Sequence, residues 1–260
     1  MNRYRLAKNM RYSTLSEREF FYREEFDLEK VREWLERLGR VEGLVFGAVI
    51  GRHTKVFLEK YKDDVSTMIL FDDYQDIEEV KVMLLDFLPE SVYYDRTFYD
   101  QKGKIVGQEI AFDLDPENLT CPIHGTLEEK MGRGQGLAFC DLELRMVRDE
   151  TLRLYEELSK IFSQLRIVYS GRGFHIHVVD PESFGWSIKQ RKQLALSISS
   201  KGFPIDEWVT VGSMRWIRLP FSLHGMVSRV VLPLTVRELR GFDPTVDPRC
   251  IPSFFEDVVV

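Results

Sequence analysis

Residues Val106-Gly-Gln-Glu-Ile-Ala-Phe-Asp-Leu-Asp115 decide how the rest of this chain is read. From Glu109 to Asp115, charged or small residues (Glu109, Ala111, Asp113, Asp115) alternate with Ile110, Phe112 and Leu114. A period of two marks a half-buried strand, because successive strand side chains point to opposite faces. Ile110, Phe112 and Leu114 are expected to face the core, and Asp113 and Asp115 to project together from the other face. Two residues of strand rise separate them by roughly 7 Å. Carboxylates that near repel unless a cation lies between them, and hard divalent ions such as Mg²⁺ take oxygen ligands of this kind. Pro116 cannot donate to a ladder, so the strand should stop there and leave the pair at its rim. A strand running into an acidic turn would show the same pattern, so the neighbouring segments have to decide.

The 260 residues, 44% apolar and 30% charged, suffice for a full globular core. No apolar run approaches 18 residues, so no membrane span is expected. Arg3, Arg5, Lys8 and Arg11 are followed by no apolar run and do not read as a secretory signal. Three unevenly spaced cysteines argue against a disulfide framework and for a reducing compartment. A net charge of −6 argues only mildly against nucleic acid, since a local basic groove matters more than the sum.

Residues 16–26 open with Ser16-x-x-Glu19 and read as a short capped helix. Asp27 caps a second, with Leu28, Val31, Leu35 and Leu38 on one face and Gly39 ending it. Val45–Ile50 and Thr67–Phe71 read as strands, Asp76–Phe87 as a helix, and Val92–Phe98 as a strand before the turn at Asp100–Gly103. Further on, Leu142–Phe162 reads as a long amphipathic helix with Leu144, Val147, Leu154, Leu158 and Ile161 on its apolar face. Ser187–Ser199 is a further helix, Val209–Val211 a strand with Asp206 at its mouth, Val230–Leu234 a last strand, and Thr235–Leu239 a helical turn.

Between the aspartate strand and the long helix lie Cys121-Pro-Ile-His124, a glycine-rich loop, and Cys140 followed by Asp141. A Cys-x-x-His pair with a second ligand group across a loop is how small structural zinc sites are built. Three good ligands are visible, which leaves Asp141, water or a distant group as the fourth; a buried free cysteine is the plain alternative.

Arg166–Tyr169 and Phe174–Val179 are strands flanking the turn Ser170-Gly171-Arg172-Gly173. In the second strand Phe174, Ile176 and Val178 share one face while His175 and His177 share the other. Glycines let backbone N–H groups approach an anion closely, and the Arg172 guanidinium can fork onto phosphate oxygens. A plain hairpin would explain the glycines, but a sheet face has no need of two imidazoles for stability. Four of the five histidines (His124, His175, His177, His224) fall in these segments or beside Arg218 near Pro220.

Three segments, in this order, resemble the catalytic small subunit of archaeal and eukaryotic DNA primases. They are Glu109–Asp115, Tyr169-Ser-Gly-Arg-Gly-Phe-His-Ile-His-Val178, and Ile205-Asp206 with Val209-Thr and Arg218-Leu-Pro-Phe-Ser-Leu-His-Gly225. Arg18-Glu-Phe-Phe-Tyr22 and Phe242-Asp-Pro244 are similar to further landmarks of that family. The resemblance implies an α+β fold: an archaeo-eukaryotic primase-type catalytic core of mixed β-sheets flanked by helices. It further implies one catalytic domain over 1–260, with a zinc-binding segment inserted at about 118–141. It implies that Asp113, Asp115 and Asp206 hold catalytic Mg²⁺ or Mn²⁺. Ser170, Gly171, Arg172, Gly173 and His175 would bind the nucleotide triphosphate, with Arg218 and His224 completing that pocket. Cys121, His124 and Cys140 would hold structural Zn²⁺. The implied activity is DNA-directed primase or polymerase chemistry, the synthesis of short RNA or DNA primers from NTPs or dNTPs on a single-stranded DNA template. The implied partner is a primase large subunit, and the implied location is cytoplasmic, at the nucleoid of an archaeal cell. The chain departs from the family in a short Val178–Asp206 interval, in lacking an evident fourth zinc cysteine, and in Gly212, where some relatives carry a further acid. A stand-alone primase-polymerase acting in repair or on a plasmid would use the same residues. A metal-dependent phosphoesterase would instead use the histidines as metal ligands, and a catalytically dead subunit would only bind single strands.

Overall fold

The computed structural model describes residues 6–36, 44–100 and 102–258. Helices and mostly antiparallel sheets alternate along the chain, an α+β architecture as expected. Leu38 and Gly39, read above as the end of a helix, lie outside the described residues. Among the described residues no helix is long and apolar enough to cross a membrane.

The chain divides into two compact units. One is built mainly of Thr97–Arg215 and Pro233–Val246. Its sheet has the order Leu232–Leu234, Leu165–Tyr169, Phe174–Val178, Ile110–Leu114. The histidine strand (Phe174–Val178) runs antiparallel to both neighbours, pairing Asp113 with His175, Ala111 with His177, and Val168 with His175. Ile110, Phe112, Leu114, Phe174, Ile176 and Val178 are all fully buried, each worth about 1.5–3 kcal/mol by transfer from water. The long helix Asp141–Leu158 packs on the histidine and aspartate strands through buried Leu144, Val147, Leu154 and Leu158. It stops at Leu158, so Ile161 lies in the following turn and is half exposed rather than on the apolar face.

The other unit comprises Arg11–Arg96, Trp216–Leu232 and the segment from Asp247. Its four-stranded antiparallel sheet has the order Met68–Phe71, Phe46–Val49, Ser91–Asp95, Trp216–Arg218. The first helix is Leu15–Phe20, continued by a π-helical turn over Phe21–Glu25. Its cap is Thr14 with Glu17 as the reciprocal partner, not Ser16 with Glu19. Arg18, in the last turn of this helix, is fully buried. Arg18 donates five hydrogen bonds, to Ser13 Oγ, Thr54 Oγ1 and the carbonyls of Ile50, Val56 and Leu88. Asp76 caps the helix Ile77–Phe87, which ends on Leu88 in the left-handed conformation.

Three further expectations need correcting. Val92–Phe98 is not one strand but two, Ser91–Asp95 and Thr97–Tyr99, in different sheets. Val209–Val211 is not a strand but part of the short helix Glu207–Val211. The β-branched residues favour extension, yet the Asp206 carboxylate accepts the Trp208 N–H at 2.8 Å and Gly212 ends the turn at φ +91°, so the two caps override propensity. Val230–Leu234 is two short strands, Arg229–Val230 and Leu232–Leu234, paired in different sheets.

Candidate functional site

The polar face of the aspartate strand is graded along its length. At the inner end Glu109 and His177 are both fully buried, joined from Glu109 Oε1 to His177 Nδ1 at 2.5 Å. Two residues along, the pattern repeats nearer the surface: His175 Nε2 lies 3.4 Å from Asp113 Oδ1, with the Asp113 side chain 23% exposed. The two imidazoles meet edge to face, centroids 5.7 Å apart. Asp115 stands just past the strand end, as Pro116 requires, and is partly exposed.

The Ser170–Gly173 turn closes on that strand end. Ser170 N–H donates to the Gly173 carbonyl at 3.0 Å, and Gly173 N–H donates to Ser170 Oγ at 3.1 Å. Gly171 adopts φ +104°, open to glycine at little cost. A Cβ at Gly173 would lie 2.1 Å from the Leu114 carbonyl oxygen and 2.3 Å from Asp115 Oδ1, so only a hydrogen fits. Arg172, nearly buried, forms an ion pair with Glu117 and sets its guanidinium over the Phe139 ring, 5.4 Å from the centroid. The third carboxylate joins through the backbone: Asp206 N–H donates to the Asp113 carbonyl at 3.0 Å. Asp113, Asp115, Asp206, Ser170, Gly171, Arg172, Gly173 and His175 thus belong to one unit, around one strand end. Arg218 and His224 belong to the other, where Arg218 lies over the Tyr93 ring at 4.9 Å and donates to its hydroxyl, and His224 is buried.

Two supports of this strand end were not read from sequence. Buried Arg191 donates to the carbonyls of Gln108, Glu109, Phe184 and Trp186 and to Gln108 Oε1, fixing the entrance to the aspartate strand. Its position three residues before Leu194 and seven before Ile198 puts it on the buried helix face, a signal available in the sequence. Gln108 in turn donates to the Gly212 carbonyl at 3.2 Å, and a Cβ on Gly212 would fall 2.0 Å from Gln108 Oε1.

A second cluster lies in the same unit. Cys121, His124, Cys140 and Glu143 bring one ligand atom each to within 4.8 Å of one another. Cys121 Sγ is 3.4 Å from His124 Nδ1, and Glu143 Oε2 is 3.7 Å from His124 Nδ1. The fourth group is therefore Glu143 and not Asp141, whose carboxylate instead accepts the Lys8 N–H at 2.8 Å. Glu143 is fully buried at the third position of the long helix; it accepts the Cys140 N–H and pairs with buried Lys130, both at 2.8 Å. Burial, and then the Glu143 charge, push the Cys140 thiol up to about 11, and a bound cation would offset both. His124, Lys130, Cys140 and Glu143 line a cavity of about 180 Å³.

No family model matches the sequence. The chain is 46% identical to an uncharacterized DNA primase small subunit-like protein of Archaeoglobus fulgidus, over 97% of this chain and 94% of that one. It is 26% identical to the DNA primase small subunit PriS of Pyrobaculum calidifontis, over 67% of this chain and 69% of the relative. Its fold is similar to that of the polymerase domain of Mycobacterium tuberculosis ligase D, solved in complex with DNA, at a TM-score of 0.54 and 14% identity over 91% of this chain and 86% of that one. The near full-length match to the Archaeoglobus protein carries the conclusion that this chain belongs to the DNA primase small-subunit family, and so to the primase-type nucleotidyltransferases.

Proposed function

We propose that the chain extends or starts a primer by template-directed nucleotidyl transfer on single-stranded DNA, from NTPs or dNTPs, alongside a primase large subunit. One observation carries this reading. Asp206 is tied by its backbone to Asp113, on the strand end where Asp115 meets the Ser170–Gly173 turn. Three oxygen-donor carboxylates and an arginine-bearing turn around one strand end suit a site that brings metal-bound phosphates to a hydroxyl.

Asp113, Asp115 and Asp206 would hold the divalent ions, Mg²⁺ or Mn²⁺. Bound there, such ions supply Lewis-acid activation of the primer hydroxyl and charge neutralisation on the leaving pyrophosphate. His175, whose Nε2 lies 3.4 Å from Asp113, offers a donor toward a phosphate. The Gly171 and Gly173 positions let the backbone approach an anion without a side chain in the way. Arg172 presents a planar fork suited to phosphate oxygens, with Glu117 keeping it in place until the anion arrives. Cys121, His124, Cys140 and Glu143 fit a structural metal, and two thiols with an imidazole favour Zn²⁺. On this reading 1–260 acts as one catalytic domain.

Primer synthesis on a single-stranded template, run with each nucleotide set and with and without a large subunit, tests the proposal. Product with stoichiometric pyrophosphate release is expected; hydrolysis of phosphodiesters without it would overturn the reading. A second measurement separates polymerase from phosphoesterase chemistry. His175→Ala should weaken triphosphate binding about 10- to 150-fold, the size of one lost charge-assisted hydrogen bond, and leave nucleotide-free Mn²⁺ affinity near wild type. A sharp loss of metal affinity in that variant would make His175 a ligand and count against the proposal.

A further inference from the structure

The residue whose backbone N–H the third carboxylate accepts is the most exposed tryptophan of the chain. Trp208 is 71% exposed, whereas Trp34 is buried and Trp186 and Trp216 are partly covered. It is not a loosely hung side chain on a mobile tip. Its backbone N–H is held by the Asp206 carboxylate at 2.8 Å, and its carbonyl accepts the Met214 N–H at 3.1 Å. The next two residues, Val209 and Thr210, are buried, and half-exposed Met214 lies on the returning loop. The backbone that carries the indole is thus held by the Asp206 carboxylate, and the Asp206 N–H by the Asp113 carbonyl, while the ring faces solvent. Leaving so large an apolar ring in water contributes nothing to the fold, and an exposed aromatic is the side chain on which unpaired bases stack.

We infer that Trp208 is a stacking platform for an unpaired nucleobase of single-stranded DNA entering the catalytic strand end. The inference rests on the nucleotidyl-transfer reading of Asp113, Asp115 and Asp206 and adds to it the surface that holds the single strand. Stacking reads the π-face that every base has, so the contact is tolerant of sequence and insensitive to salt, unlike contacts to phosphates.

The test uses the full chain with oligo(dT) and with an oligomer of the same length made of abasic units. Wild type should bind oligo(dT) with quenching of tryptophan fluorescence, and Trp208→Ala should bind it about 5- to 150-fold more weakly, the range for one lost base–aromatic stack. The slope of log affinity against log salt should not change, Trp208→Phe should recover most of the affinity, and the abasic oligomer should not distinguish wild type from Trp208→Ala. Triphosphate affinity without DNA should stay at the wild-type value, and an unchanged melting profile would verify the fold. Equal oligo(dT) affinity for wild type and Trp208→Ala overturns the inference. So does a wild type that forms dimers which Trp208→Ala abolishes without any effect on DNA binding, since the indole is then a self-association contact. A wild type that binds oligo(dT) through Trp208 but incorporates no nucleotide overturns the catalytic reading and leaves the platform standing.

Discussion

The two units bury charge to different ends. In the Arg11–Arg96 unit, Arg18 reaches five acceptors, while Glu90 receives His53, two backbone N–H groups and the Thr54 hydroxyl. Burial lowers the Arg18 guanidinium to about 10 but does not strip its charge. Burial also pushes Glu90 upward, and the hydrogen bonds from His53 and Thr54 outweigh it, leaving that carboxyl at about 2. Arg18 and Glu90 lock segments together while themselves enclosed, and of this group only His53 reaches solvent. In the unit of the aspartate strand, the enclosed Glu109–His177 pair is followed by Asp113, which is partly open to solvent. Charge enclosed by matched donors and acceptors is scaffold; charge of the same kind placed at a strand end is available for chemistry. The difference is where the strand stops.

The sharpest way to break this contrast is to neutralise one group of each kind. Asp113→Asn should abolish primer synthesis while moving the melting temperature by no more than about 2 °C, the span of a substitution away from the packed core. Synthesis at near wild-type rate with Mg²⁺ or Mn²⁺ would remove Asp113 from the chemistry. Arg18→Met should do the opposite. It strands three carbonyls and removes the cation whose charge acts on Glu90, so chemical unfolding should show a loss of about 3–5 kcal/mol, with the folded fraction still active.

Acid sharpens the comparison next. The folded-state value of Glu90 lies below its ordinary one of 4.5, so its stabilisation is fully present above that pH and is lost as pH falls through about 2. The advantage of wild type over Glu90→Gln, on the order of 2–3 kcal/mol at neutral pH, should shrink across that window in denaturant titrations. An advantage independent of pH would mean that the His53 pair carries no charge-dependent stability. The smallest effect is expected at the sulfur cluster. Protein never exposed to chelator should hold about one zinc per chain, and Cys121→Ser should cost about 1–2 kcal/mol, or some 2–8 °C of melting temperature, with triphosphate affinity little changed. Metal analysis finding no zinc would leave the Lys130–Glu143 pair as the sole reason for that cluster.

Much of the site was legible because it obeys short periods. The alternation of Glu109–Asp115 gives the strand and its end, and the glycine spacing of Ser170–Gly173 gives a turn, which packs on Leu114 and Asp115. What escaped depends on contacts between residues far apart in the chain. The alternation put Glu109 on the same face as Asp113 but could not say that this face is enclosed at one end. Val209–Val211 was misread because two caps, Asp206 and Gly212, outweigh three β-preferring residues. The options for a fourth group, Asp141, water or a distant residue, do not single out Glu143, though a residue three along from Cys140 shares a helical turn with it. Arg18 resembled a family landmark, but nothing in its own segment says that Ile50, Val56 and Leu88 offer it their carbonyls.

Gly212 has a consequence for how this chain could change over time. It is a left-handed glycine, at φ +91°, whose missing side chain is occupied by the Gln108 amide. That amide is itself held, by Arg191 on its oxygen and by the Gly212 carbonyl on its nitrogen. A side chain at 212 therefore meets two costs at once: the left-handed backbone strains it, and the Gln108 amide must swing away and give up its contacts with Arg191 and the Gly212 carbonyl. Position 212 is guarded against substitution from two sides.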